Sequence, residues 1–468
     1  MQFKSNAISE HNEAPLPNDG QWEELVAHWR ARQPRARLSA RPTEEQDGNA
    51  CYVVSIRIHG TPTPASPTSS DAQLREIVTL VRSQGDRVVG QQTLGIRRLD
   101  PRTMLPKGAH QTIAAHAEAC GATVLVLDAE LTPSQQRNLE EATGLAVCDR
   151  ESVILNVFQR NARTRRARIQ VEIAQLSYLR PRIRGLGLNM DQQAGGVMRG
   201  RGPGETASEL LARQLDHRLS ELRKAWARMG QAASARRSGR SNCTRIALVG
   251  YTNAGKTTLM NALTHAGLSA RDRPFETLDA TTRCLTRHGG DVLLSDTVGV
   301  IRRLPERLLA SFDSTLSELR EASLLVVVVD ASDPEWPMHL DTTDALLERI
   351  GADHLPRFHV FNKVDRVSGP DAIADLTPDH AGVGTMSMSG LDAAAVATLK
   401  DRLIALSRGG QRTSTLVVAY GDADTLSLAY RTCRVLETEA DDAGLRVTLT
   451  GTGPAIERIR RACGAVTA

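Results

Sequence analysis

The sequence predicts a multidomain α/β chain built around one phosphate-binding domain with a mixed, mostly parallel sheet. Three observations predict it. Gly250–Thr258 reads GYTNAGKTT and fits G-x-x-x-x-G-K-[ST] at every fixed position. The apolar runs ATVLVLD (Ala122–Asp128) and LLVVVVD (Leu324–Asp330) read as strands buried on both faces, the mark of a parallel sheet. Helical periods alternate with such runs along most of the chain.

Composition limits the alternatives. A length of 468 residues predicts two to four domains, and 41% hydrophobic content is ordinary for a globular chain. Aromatics are only 3%, so Leu, Val, Ile and Ala must build the cores. The seven cysteines (51, 120, 148, 243, 284, 433 and 463) form no C-x-x-C pair and predict reduced core residues in a cytoplasmic protein, neither a disulfide frame nor a zinc site. No apolar run reaches the ~18–20 residues of a membrane helix, and the polar N-terminus shows no charged-then-apolar leader pattern. The net charge of +4 hides an asymmetry: residues 161–240 hold 17 Lys/Arg against 6 Asp/Glu. Such a local excess points to a polyanion partner, or to a solvated helical face.

In chain order, residues 1–50 lack apolar periodicity and predict a disordered extension with a short helix around Trp22–Trp29. Residues 51–150 alternate strand and helix: a strand at 51–58, a helix at 73–83, a strand at 86–93, a helix at 111–120, the strand 122–128 and a helix at 132–143. This small α/β unit carries no phosphate loop and no catalytic His, Cys or paired acids at useful spacing. Residues 151–240 predict an antiparallel helical hairpin. Leu211, Leu215, Leu219, Leu222, Trp226 and Met229 recur at helical spacing in its second arm, and Ile169, Ile173 and Leu176 in its first. Its long glycine-rich tip carries Arg199 and Arg201, candidates for RNA phosphate contact. Residues 241–408 form the nucleotide domain, and 412–468 a small α/β unit of two strands and two helices.

The chemistry sits in 241–408. In the loop Gly250, Tyr251, Thr252, Asn253, Ala254, Gly255, Lys256 and Thr257, backbone amides turn inward around phosphate oxygens, and the start of the following helix adds free amides and a positive dipole end. Lys256 would reach the β- and γ-phosphates, and the Thr257 hydroxyl would hold Mg2+. Asp296-Thr297-Val298-Gly299 follows a strand as a D-x-x-G signal: the aspartate faces Mg2+ through water and the glycine amide meets the γ-phosphate. Asn362-Lys363-Val364-Asp365 selects the base. A carboxylate at Asp365 accepts from both N1–H and the exocyclic amine of guanine, a pair that adenine lacks. Lys363 would lie over the base, and Asn362 would tie this loop to the phosphate loop. Ser387-Met388-Ser389 stands where a further turn contacts the base. Together the three motifs imply GTP.

From residue 51 onward the chain resembles the HflX family of GTPases. The resemblance rests on LTPSQQRNLE (131–140), FQRNARTRRARIQVEIAQLSYLRPR (158–182), RGPGET (201–206), GYTNAGKTTLMNAL (250–263), TLDATTR (277–283) and DTVG (296–299), in the family's order. It implies an N-terminal α/β subdomain, a helical hairpin, a Ras-like GTPase domain and a small C-terminal domain. It also implies a cytoplasmic monomer, with or without a membrane-associated fraction, that binds the large ribosomal subunit through ribosomal RNA. The implied role is to split or rescue stalled ribosomes, notably under heat stress. By the same resemblance Phe275, Glu276, Thr277, Leu278 and Asp279 form switch I. Thr277 then closes on Mg2+ and the γ-phosphate, with Thr281 as the other candidate. The chain departs from the family pattern at Leu105–Ala109 (LPKGA), at Met190–Gly196 (MDQQAGG) and at Val300, where the family usually has Phe. ATP hydrolysis by the N-terminal region, found in some members, is not implied, because 51–150 shows no ATP motif.

Many GTPases place a Gln after D-x-x-G to orient water. Val300 cannot do so, which predicts slow intrinsic hydrolysis stimulated by a partner that orders the switches. Asn253 resembles the asparagine that binds K+ in potassium-activated GTPases. Two rival readings are a GTP-dependent switch acting on another RNA or protein target, and a GTP-binding scaffold without useful turnover.

Overall fold

The computed structural model describes residues 48–58, 69–183, 207–238, 244–264, 274–275, 281–285, 292–297, 299–305, 308–309, 313–367, 382–408 and 411–464. Residues 1–47 of the expected extension, the hairpin tip with Arg199 and Arg201, and Glu276, Thr277, Leu278, Asp279 and Val298 lie outside the described residues. Backbone contacts divide the chain into two compact units, one ending at Arg150 and the other beginning, in its main part, at Glu151.

The first unit contains β1 (Ala50–Ile58), α1 (Ser69–Ser83), β2 (Arg87–Ile96), α2 (Ala109–Ala119), β3 (Val124–Leu127), α3 (Pro133–Thr143) and β4 (Ala146–Asp149). Its strands form one parallel sheet in the order β2-β1-β3-β4. Tyr52, Val54, Leu125, Leu127, Ile113 and Leu139 fill its core. The helix start read at Thr132 is a capping box: Gln135 N donates to Thr132 Oγ1 at 3.2 Å, and Thr132 N donates back to Gln135 Oε1 at 3.0 Å. At the carboxyl end of the sheet Arg150 is buried between Asp128, at 2.6 Å, and Glu76. The short strand β4 was not expected from the sequence.

In the second unit, one arm of the expected hairpin is two helices. α4 (Arg150–Asn161) and α5 (Arg165–Ile183) are parted at Ala162–Thr164, where Thr164 Oγ1 accepts from Ala167 N at 3.1 Å. α5 lies antiparallel to α6 (Ala207–Ser238): Arg180 pairs with Asp216, Arg218 with Glu172, and Arg166 lies over the Trp226 ring. Leu215, Leu219 and Leu222 are buried as the seam predicts, as are Ile169 and Leu176, while Ile173 is half-buried.

The nucleotide domain follows as β5 (Thr244–Val249), α7 (Lys256–Thr264), β6 (Thr281–Cys284), β7 (Val292–Asp296), α8 (Asp313–Arg320), β8 (Leu324–Asp330), α9 (Trp336–Arg349), β9 (Arg357–Asn362), β10 (Gly384–Ser387) and α10 (Ala393–Arg408). Its sheet order is β10-β9-β8-β5-β7-β6, with β6 alone antiparallel. This is the α/β, Ras-like arrangement expected. Ile246, Leu248, Leu294, Val326, Val328, Phe358 and Val360 pack with Leu259, Met260 and Leu403 in its core.

The C-terminal part contains β11 (Gln411–Val418), α11 (Ala423–Thr432), β12 (Arg434–Asp441), β13 (Gly444–Thr452) and α12 (Gly453–Gly464). The sequence reading of two strands is corrected to three, in antiparallel order β11-β13-β12. β12 (RVLETEAD) escaped notice because most of its residues are exposed, which removes the apolar alternation that marks a strand.

Candidate functional site

The site lies at the carboxyl ends of β5, β7, β8 and β9, where an open parallel sheet holds its ligands. β5 delivers the chain into the phosphate loop, and Lys256 opens α7. Asn253 is left-handed at φ 63°, a conformation asparagine tolerates. Gly255 is required here: its φ is 95°, and a Cβ would stand 2.3 Å from Asn362 Nδ2.

Lys256 is buried, with Nζ donating to the carbonyls of Gly250 at 2.9 Å and Tyr251 at 2.8 Å. Burial pushes its ammonium down to about 8, and nearby Lys363 pushes the same way, while Asp296 pulls upward. Thr257 Oγ1 donates to Asp296 Oδ2 at 2.7 Å. This pair of hard oxygens beside an ammonium fits a magnesium-phosphate site.

The D-x-x-G segment is held against the phosphate loop. Thr297 Oγ1 donates to the Leu248 carbonyl at 2.7 Å. A Cβ on Gly299 would lie 2.8 Å from Thr252 Cγ2 and 3.3 Å from Lys256 Nζ, so this position accepts little beyond glycine. Val300 is buried, donates its N–H to Gly250 O at 3.1 Å, and accepts from Thr252 N at 2.8 Å.

Sequence reasoning missed the bracing around this contact. Tyr251 stacks on His339 with ring centroids 3.8 Å apart, and its hydroxyl accepts from Arg302 N at 3.1 Å. Arg302 forms a buried ion pair with Glu335. These partners lie on separate elements, and no local pattern links them.

On the base side, Asn362 Nδ2 donates to the Ala254 carbonyl at 2.9 Å, and Asn362 Oδ1 accepts from Gly390 N at 2.8 Å. Lys363 is left-handed at φ 64° and donates to Asp330 Oδ2 at 2.7 Å. Val364 and Asp365 begin a short 3-10 turn. The Ser389 hydroxyl bonds the Asp365 carboxylate and holds it below the usual carboxylate range. Ser387 ends β10, and Met388 is buried with its N–H donating to Phe361 O at 2.8 Å. The structure therefore brings the phosphate loop, the D-x-x-G segment, the N-K-x-D loop and the Ser387–Ser389 turn together. Of switch I only Phe275 is described, and it contacts α4.

The family described as GTP-binding GTPase N-terminal matches residues 71–159, GTP-binding GTPase Middle Region matches 161–240, and 50S ribosome-binding GTPase matches 245–363. The GTPase HflX of Gluconacetobacter diazotrophicus is 42% identical over 342 residues, which cover 73% of this chain and 74% of that protein. The chain belongs to the HflX family of GTPases. The GTPase HflX of Spirochaeta thermophila is 40% identical, over 69% of this chain and 78% of its own length. Among solved structures, the GDP complex of a GTP-binding protein from Sulfolobus solfataricus is similar at 21% identity and TM-score 0.39, covering 76% of this chain and 98% of that one. The resemblance read from the sequence motifs is thus borne out. The three family models follow one another along the chain in the order of α/β unit, helical arms and nucleotide domain.

Proposed function

We propose that this chain hydrolyses GTP and couples the cycle to the large ribosomal subunit, splitting ribosomes or rescuing stalled ones. The observation that carries the reading is the Asn362 bridge between base loop and phosphate loop, within a segment that matches a family of 50S ribosome-binding GTPases. Asp365 would accept from guanine N1–H and the exocyclic amine, and Ser389 would steady that carboxylate. The amides of 253–257 and Lys256 would hold the phosphates. Thr257 and Asp296 would hold Mg2+, whose charge neutralises the β- and γ-oxygens, with Thr277 as a further ligand. Asn253 is the candidate K+ ligand.

Val300 gives water no hydrogen-bonding side chain, and its backbone is engaged with the phosphate loop. Intrinsic hydrolysis is therefore slow and rises when a partner orders the switches. The basic excess in 161–240 supports an RNA partner. A groove on the helical arms is lined by Arg180, Asp216, Arg223 and Lys224; Arg180 is paired with Asp216, and the exposed Arg223 and Lys224 add to that support, with Arg199 and Arg201 as further candidates for RNA contact.

The test is GTP hydrolysis in K+ buffer with and without large ribosomal subunits. Stimulation of about ten-fold or more, abolished by Lys256→Ala, supports the reading. Tight GTP binding with no response to subunits overturns it in favour of a switch on another RNA or protein.

A further inference from the structure

Phe275 has a backbone that a bulky residue rarely adopts. Its φ is 56°, in the left-handed region, and such a conformation persists only where neighbours over-determine it. The neighbours responsible lie on α4, outside the nucleotide domain. Asn161 Nδ2 donates to the Phe275 carbonyl at 2.8 Å and reaches the Pro274 carbonyl at 3.4 Å. Phe158 lies three residues earlier, on the same helix face, and meets the Phe275 ring edge-on with centroids 4.6 Å apart and planes at 86°. Both rings are buried, at 1% and 2% exposure.

Each contact fixes a different degree of freedom. One side-chain amide reaching two consecutive carbonyls sets the orientation of the peptide between them. The ring contact sets the side on which Phe275 packs. Together they hold a strained residue two positions before Thr277 in the sequence. Lys256 bonds Gly250 and Tyr251, and Asn362 bonds Ala254 and Gly390, all within the nucleotide domain.

We infer that Asn161 and Phe158 are positioning residues for GTP hydrolysis, holding the start of switch I through Phe275 from the helix that leads into the hairpin. The inference rests on the GTPase reading of the site. It makes α4 a direct mechanical neighbour of the switch.

The test uses the full chain without ribosomes. Asn161→Ala, Asn161→Asp and Phe158→Leu are compared with the parent for kcat and KM on GTP, for Kd of a fluorescent GDP, and for thermal unfolding. Asp keeps the size of Asn but cannot donate to a carbonyl when ionised. The expected result is a kcat about five-fold lower for Asn161→Ala, the equivalent of one net hydrogen bond. Asn161→Asp should be lower still, with GDP Kd within about two-fold and unfolding unchanged. Phe158→Leu keeps an apolar side chain but loses the ring contact with Phe275, and should lower kcat in the same direction. A kcat within two-fold of the parent for folded Asn161→Asp overturns the inference. So does a parallel fall in kcat, GDP affinity and melting temperature across the variants, which marks a purely structural role. A parent chain with no turnover would overturn the proposed function instead, and a lack of ribosome response would leave this result untouched.

Discussion

Asn362 and Ala254 lie 108 residues apart, yet the Asn362 side-chain amide donates to the Ala254 carbonyl across 2.9 Å in a buried contact. The same side chain accepts from Gly390 N, so one residue joins three loops. Asn362→Ala would leave a buried carbonyl and a buried amide unpaired, at about 1–3 kcal/mol. GTP and GDP affinity should both fall about ten-fold or more, and by the same factor, because the bridge lies away from the γ-phosphate. Titration with fluorescent GDP and a fluorescent GTP analogue checks this, and a loss confined to GTP would contradict it.

Gly299 should separate the two nucleotides where Asn362 does not. A methyl group there would press on Thr252 and approach Lys256 Nζ. Gly299→Ala should lower kcat by at least about ten-fold, since a misplaced donor at a transferring phosphoryl group costs that much or more. GDP affinity should stay within about three-fold. Single-turnover hydrolysis beside a GDP titration gives both numbers.

Lys256 carries a pH dependence whose sign follows from its burial. In the nucleotide-free protein its ammonium titrates at about 8, below the ordinary 10.5. Bound phosphate raises that value, so the complex holds more protons than the free protein above pH 8. Nucleotide affinity should be flat below about 8 and fall as pH rises beyond it, with proton uptake on binding visible by calorimetry in buffers of different ionisation enthalpy. The unfolded chain also binds more protons than the folded one between about 8 and 10.5. Lys256 therefore costs the free protein stability below 8, and that cost fades as pH climbs toward 10.5. Lys256→Met should flatten this part of the stability profile.

Arg150 tests the first unit. It is buried against Asp128 and Glu76, and Arg150→Leu would leave two carboxylates without their cation. Stability should fall by about 3–5 kcal/mol. Arg150→Lys should recover only part of it, because an ammonium cannot serve two carboxylates with a guanidinium's fork. GDP affinity of the folded fraction should not change, since every described nucleotide residue belongs to the second unit. Chemical denaturation with a GDP titration on the same sample decides it.

What the sequence made legible was whatever a short window contains. LLVVVVD announced β8 because both faces of that strand are buried. Thr132 announced α3 because its cap is complete within four residues. Strand β6 (TTRC) and strand β12 were hidden, since half or more of their side chains face outward and pairing alone makes them strands. The break between α4 and α5 was hidden because FQRNARTRRA stays helix-compatible throughout, and only the Thr164 cap marks it. In the site, the residues inside motifs were named in advance. The Tyr251–His339 stack, the Arg302–Glu335 pair and the Asn161–Phe275 bond were not. Their partners lie 33 to 114 residues apart, and each is decided by the fold rather than by its neighbours in sequence.

The strand order has a consequence for how the chain is made. β5 lies at the centre of its sheet, but its neighbours β7 and β8 leave the ribosome later, and β9 and β10 later still. The phosphate loop is synthesised more than a hundred residues before Asp365 and Ser389 exist to receive a base. A growing chain thus presents half a nucleotide site while residues 258 to 389 are added, and its first tight hold on guanine nucleotide comes only when residues near 390 emerge. Nucleotide binding can then pull the last strands into register, making the ligand a late partner in the chain's own folding.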